Sequence, residues 1–397
     1  MKILHWDEMF HPSFGYQINV LAKYQAMQGH EVIILTGEKP DEHPTFKGLC
    51  DCDINEMDKQ YQRLYNVKII RLPIYRVISG MVIYKWGFLK KIKELAPDIL
   101  MCHTNDTITA MITAWAYRYL DMPIIFDNHM LEIAAVNPLH KLFVLFIRYT
   151  LTPLIKKNKW IVIRTQNDPY VYDAYRIPLE QAPFVSFGSD MSIFHPDIEV
   201  RKNFRNQLGL NKDDFVIVYT GKLSEGKGGK LLASCLLKKF STKKNVVAVI
   251  VGSSRGEYES LVEDTFKQSE LKVLRFPTQN YLELPKFYQI ADLFLCAKQC
   301  SLSFYDAQAC GVPVVAENNT VNIERVSHGN GFVFLKDDVI DFRKKIEICI
   351  NMDPNEYNLM KKNAYNFVKE KYDYTIISNQ YSEMMQTEIL KFKGNTL

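Results

Sequence analysis

Short apolar runs alternate along this chain with longer segments of mixed polarity. Runs of this length are typical of strands buried on both faces, and the mixed segments predict amphipathic helices. Residues 19–28 predict one such helix, which ends at Gly29. The alternation indicates parallel βαβ units. In the first half, the apolar runs occupy residues 2–5, 31–35, 67–72, 99–102, 124–126 and 161–163.

The second half repeats this pattern of apolar runs. They occupy residues 215–219, 246–251, 273–276, 293–296, 312–315 and 332–334. The architecture repeats although the sequence does not, so we expect an α/β protein with two doubly wound sheets. Sheets of this kind bind ligands beyond the carboxyl ends of their strands.

The boundary between the two patterns falls at residues 187–196. Turn-forming residues, among them Gly188 and Pro196, interrupt the regular elements there. The last segment of the chain predicts a helix that no further strand follows. The predicted domains are therefore residues 1–187, residues 188–375 and a C-terminal helical segment at residues 376–397.

Length and composition agree with this division. A chain of 397 residues exceeds one ordinary core and predicts two or three domains. With 47% hydrophobic and 24% charged residues, the composition is that of a globular protein rather than a disordered one. The formal net charge of +4 is small for this length, which gives no reason to expect a nucleic-acid partner.

The cysteines and the apolar segments bear on the cellular compartment. The eight cysteines are scattered, with no pair or cluster at the spacing of metal ligands. They favour reduced, buried thiols and hence the cytoplasm. Charged residues follow Met1 too early for a signal peptide. No apolar stretch approaches the roughly 18 residues of a spanning helix, so we do not expect the chain to cross a membrane.

A loop rich in glycine and lysine follows the strand predicted at residues 215–219. Residues 221–229 read Gly-Lys-Leu-Ser-Glu-Gly-Lys-Gly-Gly. The glycines allow the backbone to approach an anion such as a diphosphate, and Lys222 and Lys227 can neutralise its charge. A solvated turn has the same composition, so this segment alone fits either interpretation.

A second candidate segment covers residues 301–316. Small hydroxyl residues open a predicted helix here, Gly311 ends it, and a strand follows. The first turn of such a helix directs free N–H groups towards a phosphate, and Asp306 lies within reach of a ribose diol. In the simpler interpretation, Ser301 or Ser303 caps the helix and Asp306 is a solvated acid.

These segments resemble signatures of glycosyltransferase family 4, which contains retaining enzymes of the GT-B fold. Residues 306–316, Asp-Ala-Gln-Ala-Cys-Gly-Val-Pro-Val-Val-Ala, resemble the family's acidic-Ala-Met-Ala-Cys-Gly-x-Pro-Val-Val run. Residues 221–228 are similar to its Gly-Arg-x-x-x-x-Lys-Gly loop, with Lys222 at the usual arginine. The resemblance spans nearly the whole chain. Further matches follow in family order at residues 10–15, 29–32, 97–103, 126–129 and 186–196.

The resemblance implies a GT-B fold with two facing Rossmann-like domains, a cleft between them and a C-terminal helix that crosses back to the first domain. The first domain would bind the acceptor and the second the nucleotide sugar. The implied activity is retaining hexosyl transfer, with UDP-sugars favoured as donors. The acceptor would be a hydroxyl of a glycan or lipid-linked molecule in surface polysaccharide or glycoconjugate synthesis. No metal or other cofactor is implied, because protein cations would neutralise the leaving diphosphate.

The family's residue roles carry over to the matching positions. His129 would face the transferred sugar, although a histidine at a strand end is also a common structural residue. Lys222 and Lys227 would hold the donor diphosphate, and these three residues are the predicted catalytic groups. The predicted donor-binding residues are Gly15 and Gly221 in loops beside the phosphates, Ser301, Leu302 and Ser303 at the distal phosphate, Asp306 at the ribose, and Phe276 and Pro277 at the base.

Two positions depart from the family pattern. The family usually carries two acids eight positions apart, and the first would fall at Lys298, where a cation replaces a carboxylate. Three explanations follow: the donor carries an acid or amide group, Glu317 or Glu324 takes over the contact, or activity is lost. Tyr16 also replaces a second glycine often found beside Gly15.

Two basic, aromatic stretches bear on the partners of the protein. Residues 84–91 and 138–159 fit peripheral contact with an anionic membrane, where lipid-linked acceptors lie. The alternative is a core-facing helix with a basic end, which is slightly favoured for residues 143–147. We therefore expect a cytoplasmic protein that contacts the inner face of the membrane, with a nucleotide sugar and a glycan or lipid-linked acceptor as partners.

Two other functions fit the same architecture. A nucleotide-sugar epimerase or hydrolase would release isomerised donor or free sugar without an acceptor. A catalytically silent GT-B partner subunit, suggested by Lys298, would bind the donor without turnover or would not bind it.

Overall fold

The computed structural model describes residues 1–43, 46, 53–78, 80–130, 140–253, 256–298 and 302–394. The chain forms two compact units. The first contains Met1–Phe187 together with Tyr374–Leu397, and the second contains Gly188–Asp373. Each unit has its own hydrophobic core.

The strands fall into two large sheets and one hairpin. In chain order they are β1 (Lys2–Trp6), β2 (Glu31–Gly37), β3 (Val67–Leu72), β4 (Ile74–Ile78), β5 (Met81–Tyr84), β6 (Ile99–Cys102), β7 (Ile124–Asn128), β8 (Val162–Arg164), β9 (Phe215–Thr220), β10 (Val246–Val251), β11 (Lys272–Phe276), β12 (Leu293–Cys296), β13 (Val314–Glu317) and β14 (Gly331–Phe334).

The helices connect successive strands and close the chain. They are α1 (Gln17–Met27), α2 (Ile54–Tyr65), α3 (Phe88–Leu95), α4 (Ile108–Trp115), α5 (Tyr117–Leu120), α6 (His140–Thr150), α7 (Thr152–Asn158), α8 (Tyr170–Tyr175), α9 (Ile198–Gln207), α10 (Gly229–Cys235), α11 (Glu257–Lys267), α12 (Pro285–Gln289), α13 (Ser303–Ala309), α14 (Thr320–Val326), α15 (Val339–Asn351), α16 (Pro354–Lys371) and α17 (Tyr374–Gly394).

The first unit contains a six-stranded parallel sheet of order β3-β2-β1-β6-β7-β8. Leu4 of β1 lies opposite Ile33 of β2 on one side and Leu100 of β6 on the other. All three side chains are buried, because helices cover both faces of a parallel sheet. This order places the carboxyl ends of β1 and β6 next to each other, which positions the residues that follow them.

The second unit repeats this topology with the order β11-β10-β9-β12-β13-β14, again all parallel. Every residue of β9 and β10 is buried, as the continuous apolar runs predict. The expectation of two doubly wound α/β sheets is therefore confirmed.

One strand pair was not predicted. β4 and β5 form an antiparallel hairpin between β3 and α3. The hairpin contacts the segment after β1, because the N–H of Val82 donates to Oε2 of Glu8 at 2.9 Å. Glu8 follows β1, so the hairpin covers a buried carboxyl near the edge of the sheet.

The C-terminal helix α17 belongs to the first unit and packs on α1. The side chain of Gln28, at the end of α1, donates from Nε2 to Oγ of Ser378 at 2.8 Å and accepts from Oγ of Ser382 at 2.7 Å. Tyr381 and Met385 of α17 are fully buried. Among the described residues, no helix combines the length and the apolar composition that crossing a membrane requires.

Candidate active site

The loops after β9 and β10 contact each other through glycine backbone. Gly221 and Gly252 have φ angles of 144° and 153°, a range that few other residues adopt. A Cβ atom on Gly252 would lie 1.9 Å from the carbonyl oxygen of Gly221, so no side chain fits there. The N–H of Gly252 donates to the carbonyl oxygen of Phe276 at 2.9 Å. The structure thus brings Gly221 close to Phe276, which precedes the exposed Pro277.

The lysine-bearing loop lies against the end of β12. Lys222 is exposed and Lys227 is half-buried. Gly228 has a φ of 76°, and a Cβ atom there would lie 2.9 Å from Cγ of Lys298. This close approach places the Lys227 end of the loop beside Lys298. Cations therefore collect at the carboxyl edge of the second sheet, where a diphosphate would need them.

Helix α13 begins at the same edge. Leu302 precedes its first turn, and within the described part of the chain no side chain of the cap residue bonds to that turn. Ser303 is the first helical residue rather than the cap, and the hydroxyl of Tyr288 is hydrogen-bonded to it and to Oγ1 of Thr220. These contacts hold the start of α13 next to the end of β9. Ser301 lies outside the described residues.

Asp306 lies in α13 and is only 6% exposed. Ser189 donates from Oγ to Oδ1 of Asp306 at 2.7 Å. Burial raises the pKa of Asp306 to about 8, and the hydrogen bond from Ser189 only partly offsets this. The alternative expectation of a solvated acid is therefore wrong, whereas ribose binding by Asp306 stays a prediction.

Lys298 forms an ion pair at the position where the family pattern has an acid. Its Nζ lies 2.8 Å from Oδ1 of Asp337, and this hydrogen bond raises the pKa of Lys298. The N–H of Asp337 donates to Oε1 of Glu317 at 3.1 Å. Burial raises the pKa of Glu317. Of the two substitute acids considered, Glu317 thus lies beside the pair, whereas Glu324 is an exposed residue of α14.

A second group of polar side chains lies at the carboxyl edge of the first sheet. Asp127, in β7, is fully buried. Its Oδ2 accepts a hydrogen bond from Nδ1 of His103 at 3.0 Å and lies 3.1 Å from Nε2 of His129. Nε2 of His103 lies 3.0 Å from Nδ1 of His5, at the end of β1. Adjacent strands therefore bring two histidines to one buried carboxylate and place a third, His5, against His103.

Charge and burial oppose each other in this histidine–aspartate cluster. Burial alone would raise the pKa of Asp127, but His129 and His103 outweigh it and hold that pKa far below its usual range. Burial alone would lower the pKa of His129, but the Asp127 carboxylate raises it above its usual value. Burial and the charge of His103 lower the pKa of His5 to about 3, so His5 is neutral.

Thr104 is a strained residue in the same cluster. Its φ of 66° is rare for a β-branched residue and costs on the order of 1–3 kcal/mol. Its N–H donates to Oδ1 of Asp127 at 2.6 Å, so the strained backbone completes the contacts of the carboxylate. His5, His103 and Thr104 are not among the predicted site residues. A histidine at the end of an apolar strand is the sequence signal that could have identified His5.

The cluster also has the composition of a metal site. One donor atom from each of His103, Asp127 and His129 lies within 4.8 Å of the others. The N–H of Thr104 donates to Oδ1 of Asp127 and Nδ1 of His103 donates to Oδ2, whereas Nε2 of His129 lies at an ion-pair distance of 3.1 Å from Oδ2 without completing a hydrogen bond. We therefore interpret the group as a hydrogen-bonded ion-pair cluster, and a metal-independent activity stays a prediction.

Gly15 lies in an aromatic loop between β1 and α1 and is half-buried. The rings of Phe14 and Tyr16 flank it and stack with centroids 5.8 Å apart. Gly15 and His129 belong to the first unit, whereas the described residues among the other predicted site positions belong to the second. The proposed phosphate contact of Gly15 stays a prediction.

Two family models match the chain. The model described as Glycosyl transferases group 1 matches residues 200–367, and that described as Glycosyltransferase Family 4 matches residues 16–166. Together they cover about four fifths of the 397 residues.

Curated relatives and solved structures agree with the family models. Over 195 residues the chain is 25% identical to the lipopolysaccharide 1,2-N-acetylglucosaminetransferase of Salmonella typhimurium, which covers 46% of this chain and 51% of the relative. The chain spans about half the length of the curated relatives that it matches.

Several solved structures match nearly the whole chain, among them the following two. Anabaena Alr3699/HepE in complex with UDP and glucose has a TM-score of 0.73 at 18% identity, covering 98% of this chain and 100% of that one. A glycosyltransferase from Rickettsia africae has a TM-score of 0.75 at 16% identity, covering 98% of both chains. At these identities the likeness shows the fold, which is GT-B, as predicted.

Proposed function

Because the chain belongs to glycosyltransferase family 4, we propose that it transfers a sugar from a nucleotide-sugar donor to an acceptor hydroxyl. The main support for this proposal is the set of groups that lie at the carboxyl edge of the second sheet. There a glycine-built loop contact, the loop bearing Lys222 and Lys227, and the start of α13 lie together. This arrangement supplies cations and backbone N–H groups, which is what a diphosphate requires.

We assign the donor contacts to this edge of the second unit. Lys222 and Lys227 hold the diphosphate, and the amides at Leu302 and Ser303 meet its distal phosphate. Asp306 accepts the ribose hydroxyls. The base lies at the backbone of Phe276 and Pro277. UDP is the favoured nucleotide, supported by the related fold of HepE, which is described in complex with UDP and glucose.

The proposed reaction retains the configuration of the sugar. The bond between the anomeric carbon and the diphosphate oxygen breaks, and the acceptor oxygen bonds to that carbon from the same face. The departing phosphate oxygen takes the proton of the acceptor hydroxyl, so no protein base is obligatory. Lys222 and Lys227 stabilise the charge that develops on the diphosphate, without a metal ion. His129 contacts the transferred sugar.

We propose a glycan or lipid-linked acceptor and peripheral contact with an anionic membrane. The support is an exposed apolar stripe on α6, with its residues at helical spacing and 42–75% exposed. Val144 and Ile147 of the same helix point into the core, so the alternative of a core-facing helix holds for one face only. Exposed lysines lie at the start of α6, on α7 and at the end of α7, and such charges suit anionic lipid. The stripe residues are Leu142, Leu145, Phe146 and Tyr149, and the lysines are Lys141, Lys156, Lys157 and Lys159.

A turnover assay tests this function. UDP release is measured with a panel of UDP-sugars, with and without oligosaccharide and polyprenyl-diphosphate-linked acceptors, in the presence of EDTA. We expect acceptor-dependent release, and we expect Lys227→Ala to lower kcat about 10²-fold, since it removes a cation from the leaving group. Lys212→Ala, an exposed lysine of the same unit, is the matched control.

The outcomes of this assay separate the competing functions. Release of free or isomerised sugar without an acceptor would favour a hydrolase or epimerase. Donor binding without turnover would favour a silent partner subunit, and the Lys298–Asp337 pair would then be its most direct explanation.

A further inference from the structure

The polar cluster of the first unit extends well beyond His129. Asp127 is fully buried, and its two oxygens face three protein groups: the N–H of Thr104, His103 and His129. These contacts favour one orientation of the buried carboxylate, because turning it would break hydrogen bonds that no water replaces. The cluster is therefore a rigid support rather than a mobile set of side chains.

The direction of each contact decides what His129 presents. Its buried Nε2 lies 3.1 Å from Oδ2 of Asp127, an ion-pair contact that falls short of hydrogen-bond geometry, and the ring packs edge-on against Phe187 with centroids 5.2 Å apart. The other ring nitrogen, Nδ1, is the atom left to face a ligand. The side chain of His129 is 30% exposed, so this nitrogen belongs to a ring that reaches the surface of the unit.

Two more buried histidines, His5 and His103, extend the cluster behind Asp127. Nε2 of His5 lies 2.6 Å from Oε1 of Gln25, and Nδ1 of His5 lies 3.0 Å from Nε2 of His103. A neutral imidazole has one N–H, so if His5 donates to Gln25, its Nδ1 must accept from His103. Nδ1 of His103 lies 3.0 Å from Oδ2 of Asp127, so the chain of contacts from Gln25 ends at the carboxylate. This chain of contacts helps to hold the carboxylate of Asp127 in place.

We infer that Asp127 is a positioning residue for His129, held by His103 and His5, and that it fixes His129 with Nδ1 towards an oxygen of the transferred sugar. The inference rests on the proposed transfer reaction and deepens it. Asp127 touches no reacting atom, since it is buried behind His129. Its effect is to orient the imidazole and to raise its pKa, with Asp7 and Asp106 as the other acids that favour the charged form.

The test uses the full-length chain and the variant Asp127→Asn, which keeps the shape and removes the charge. We expect kcat to fall 10- to 100-fold, the range for removing a group that orients an active residue. KM for the UDP-sugar should change less than twofold, because the second unit holds the nucleotide. His129→Ala should show the same loss, and the double variant should show no further loss, because the two residues act as one unit.

A second readout does not depend on turnover. Titration of the His129 ring by NMR should give a lower pKa in Asp127→Asn than in the parent protein. If that variant does not fold, His103→Gln serves instead. The glutamine amide can still donate to Asp127, but the contact with His5 is lost. An unchanged His129 titration, or an unchanged kcat in a folded variant, would overturn the inference. Absence of transfer by the parent protein would refute the proposed function, whereas the titration would still test the positioning.

Discussion

At the scale of single residues, three buried carboxyls of similar chemistry reach different protonation states. Asp127 faces two histidines, which hold its pKa far below the usual range. Burial raises the pKa of Glu8 to about 7 and that of Asp306 to about 8, because the surrounding donors do not compensate for lost water. The surroundings of each carboxyl, rather than its residue type, thus decide whether it is ionised and pairs with a cation or stays neutral and keeps its proton.

Glu8 provides a test of this view through stability. Its pKa is raised from 4.5 to about 7, so the folded state keeps a proton that the unfolded chain loses. The contribution of Glu8 to the free energy of unfolding is therefore full below pH 4.5 and is lost as the pH rises through 7. The loss amounts to about 3 kcal/mol, at 1.36 kcal/mol per pKa unit. We expect Glu8→Gln to remove this loss and to be the more stable protein at pH 8.

The measurement is urea unfolding of both proteins at pH 5, 6, 7 and 8. Glu180→Gln, which changes an exposed acid of the same unit, is the control and should follow the parent protein. A difference between Glu8→Gln and the parent that stays constant with pH would contradict the assignment.

At the scale of elements, the site depends on which loops meet at the carboxyl ends of the strands. Contiguous segments such as residues 221–229 and 306–316 could be recognised from the sequence, because their residues act within one loop or helix. The contact between Ser189 and Asp306 spans 117 positions, and that between His5 and His103 spans 98. Such contacts depend on strand order and register, which the local pattern does not contain.

The contact between the loops after β9 and β10 makes a prediction for Gly252→Ala. The added Cβ would lie 1.9 Å from the carbonyl oxygen of Gly221, so the loops must separate. We expect a loss of stability on the order of 2–3 kcal/mol and at least tenfold weaker binding of UDP. Calorimetry measures both, with Gly394→Ala as control because nothing lies near that position. Unchanged UDP affinity would mean that this contact does not shape the donor site.

The exposed stripe of α6 makes a separate prediction. Replacing Leu142 and Phe146 by serine should lower the fraction that floats with anionic vesicles several-fold without changing folding, since both side chains are exposed. Leu261→Ser, an exposed leucine of the second unit, is the control. Equal flotation of all proteins, or flotation with neutral vesicles alone, would contradict anionic membrane contact through α6.

At the scale of the whole molecule, the apolar pattern predicted both parallel sheets, because strands buried on two faces leave a clear signal. The hairpin of β4 and β5 escaped prediction because only part of it is buried: in β4, Tyr75 is exposed and Ile74 is not. The family resemblance predicts which loops bind the donor, and that assignment stays a prediction. The protonation of Asp306, the Lys298–Asp337 pair and the support of His129 could not be predicted, because each depends on tertiary burial.

The central claim is that the second unit binds a nucleotide through Asp306 and the lysine-bearing loop. The most direct measurement is thermal unfolding with UDP, GDP, ADP and dTDP, for the parent protein, Asp306→Ala and the exposed control Asp213→Ala. A ligand at a hundred times its Kd stabilises the native state by about 2.7 kcal/mol. We predict a rise in Tm with UDP for the parent and Asp213→Ala that is lost in Asp306→Ala. No rise with any nucleotide, or an equal rise in Asp306→Ala, would contradict the account.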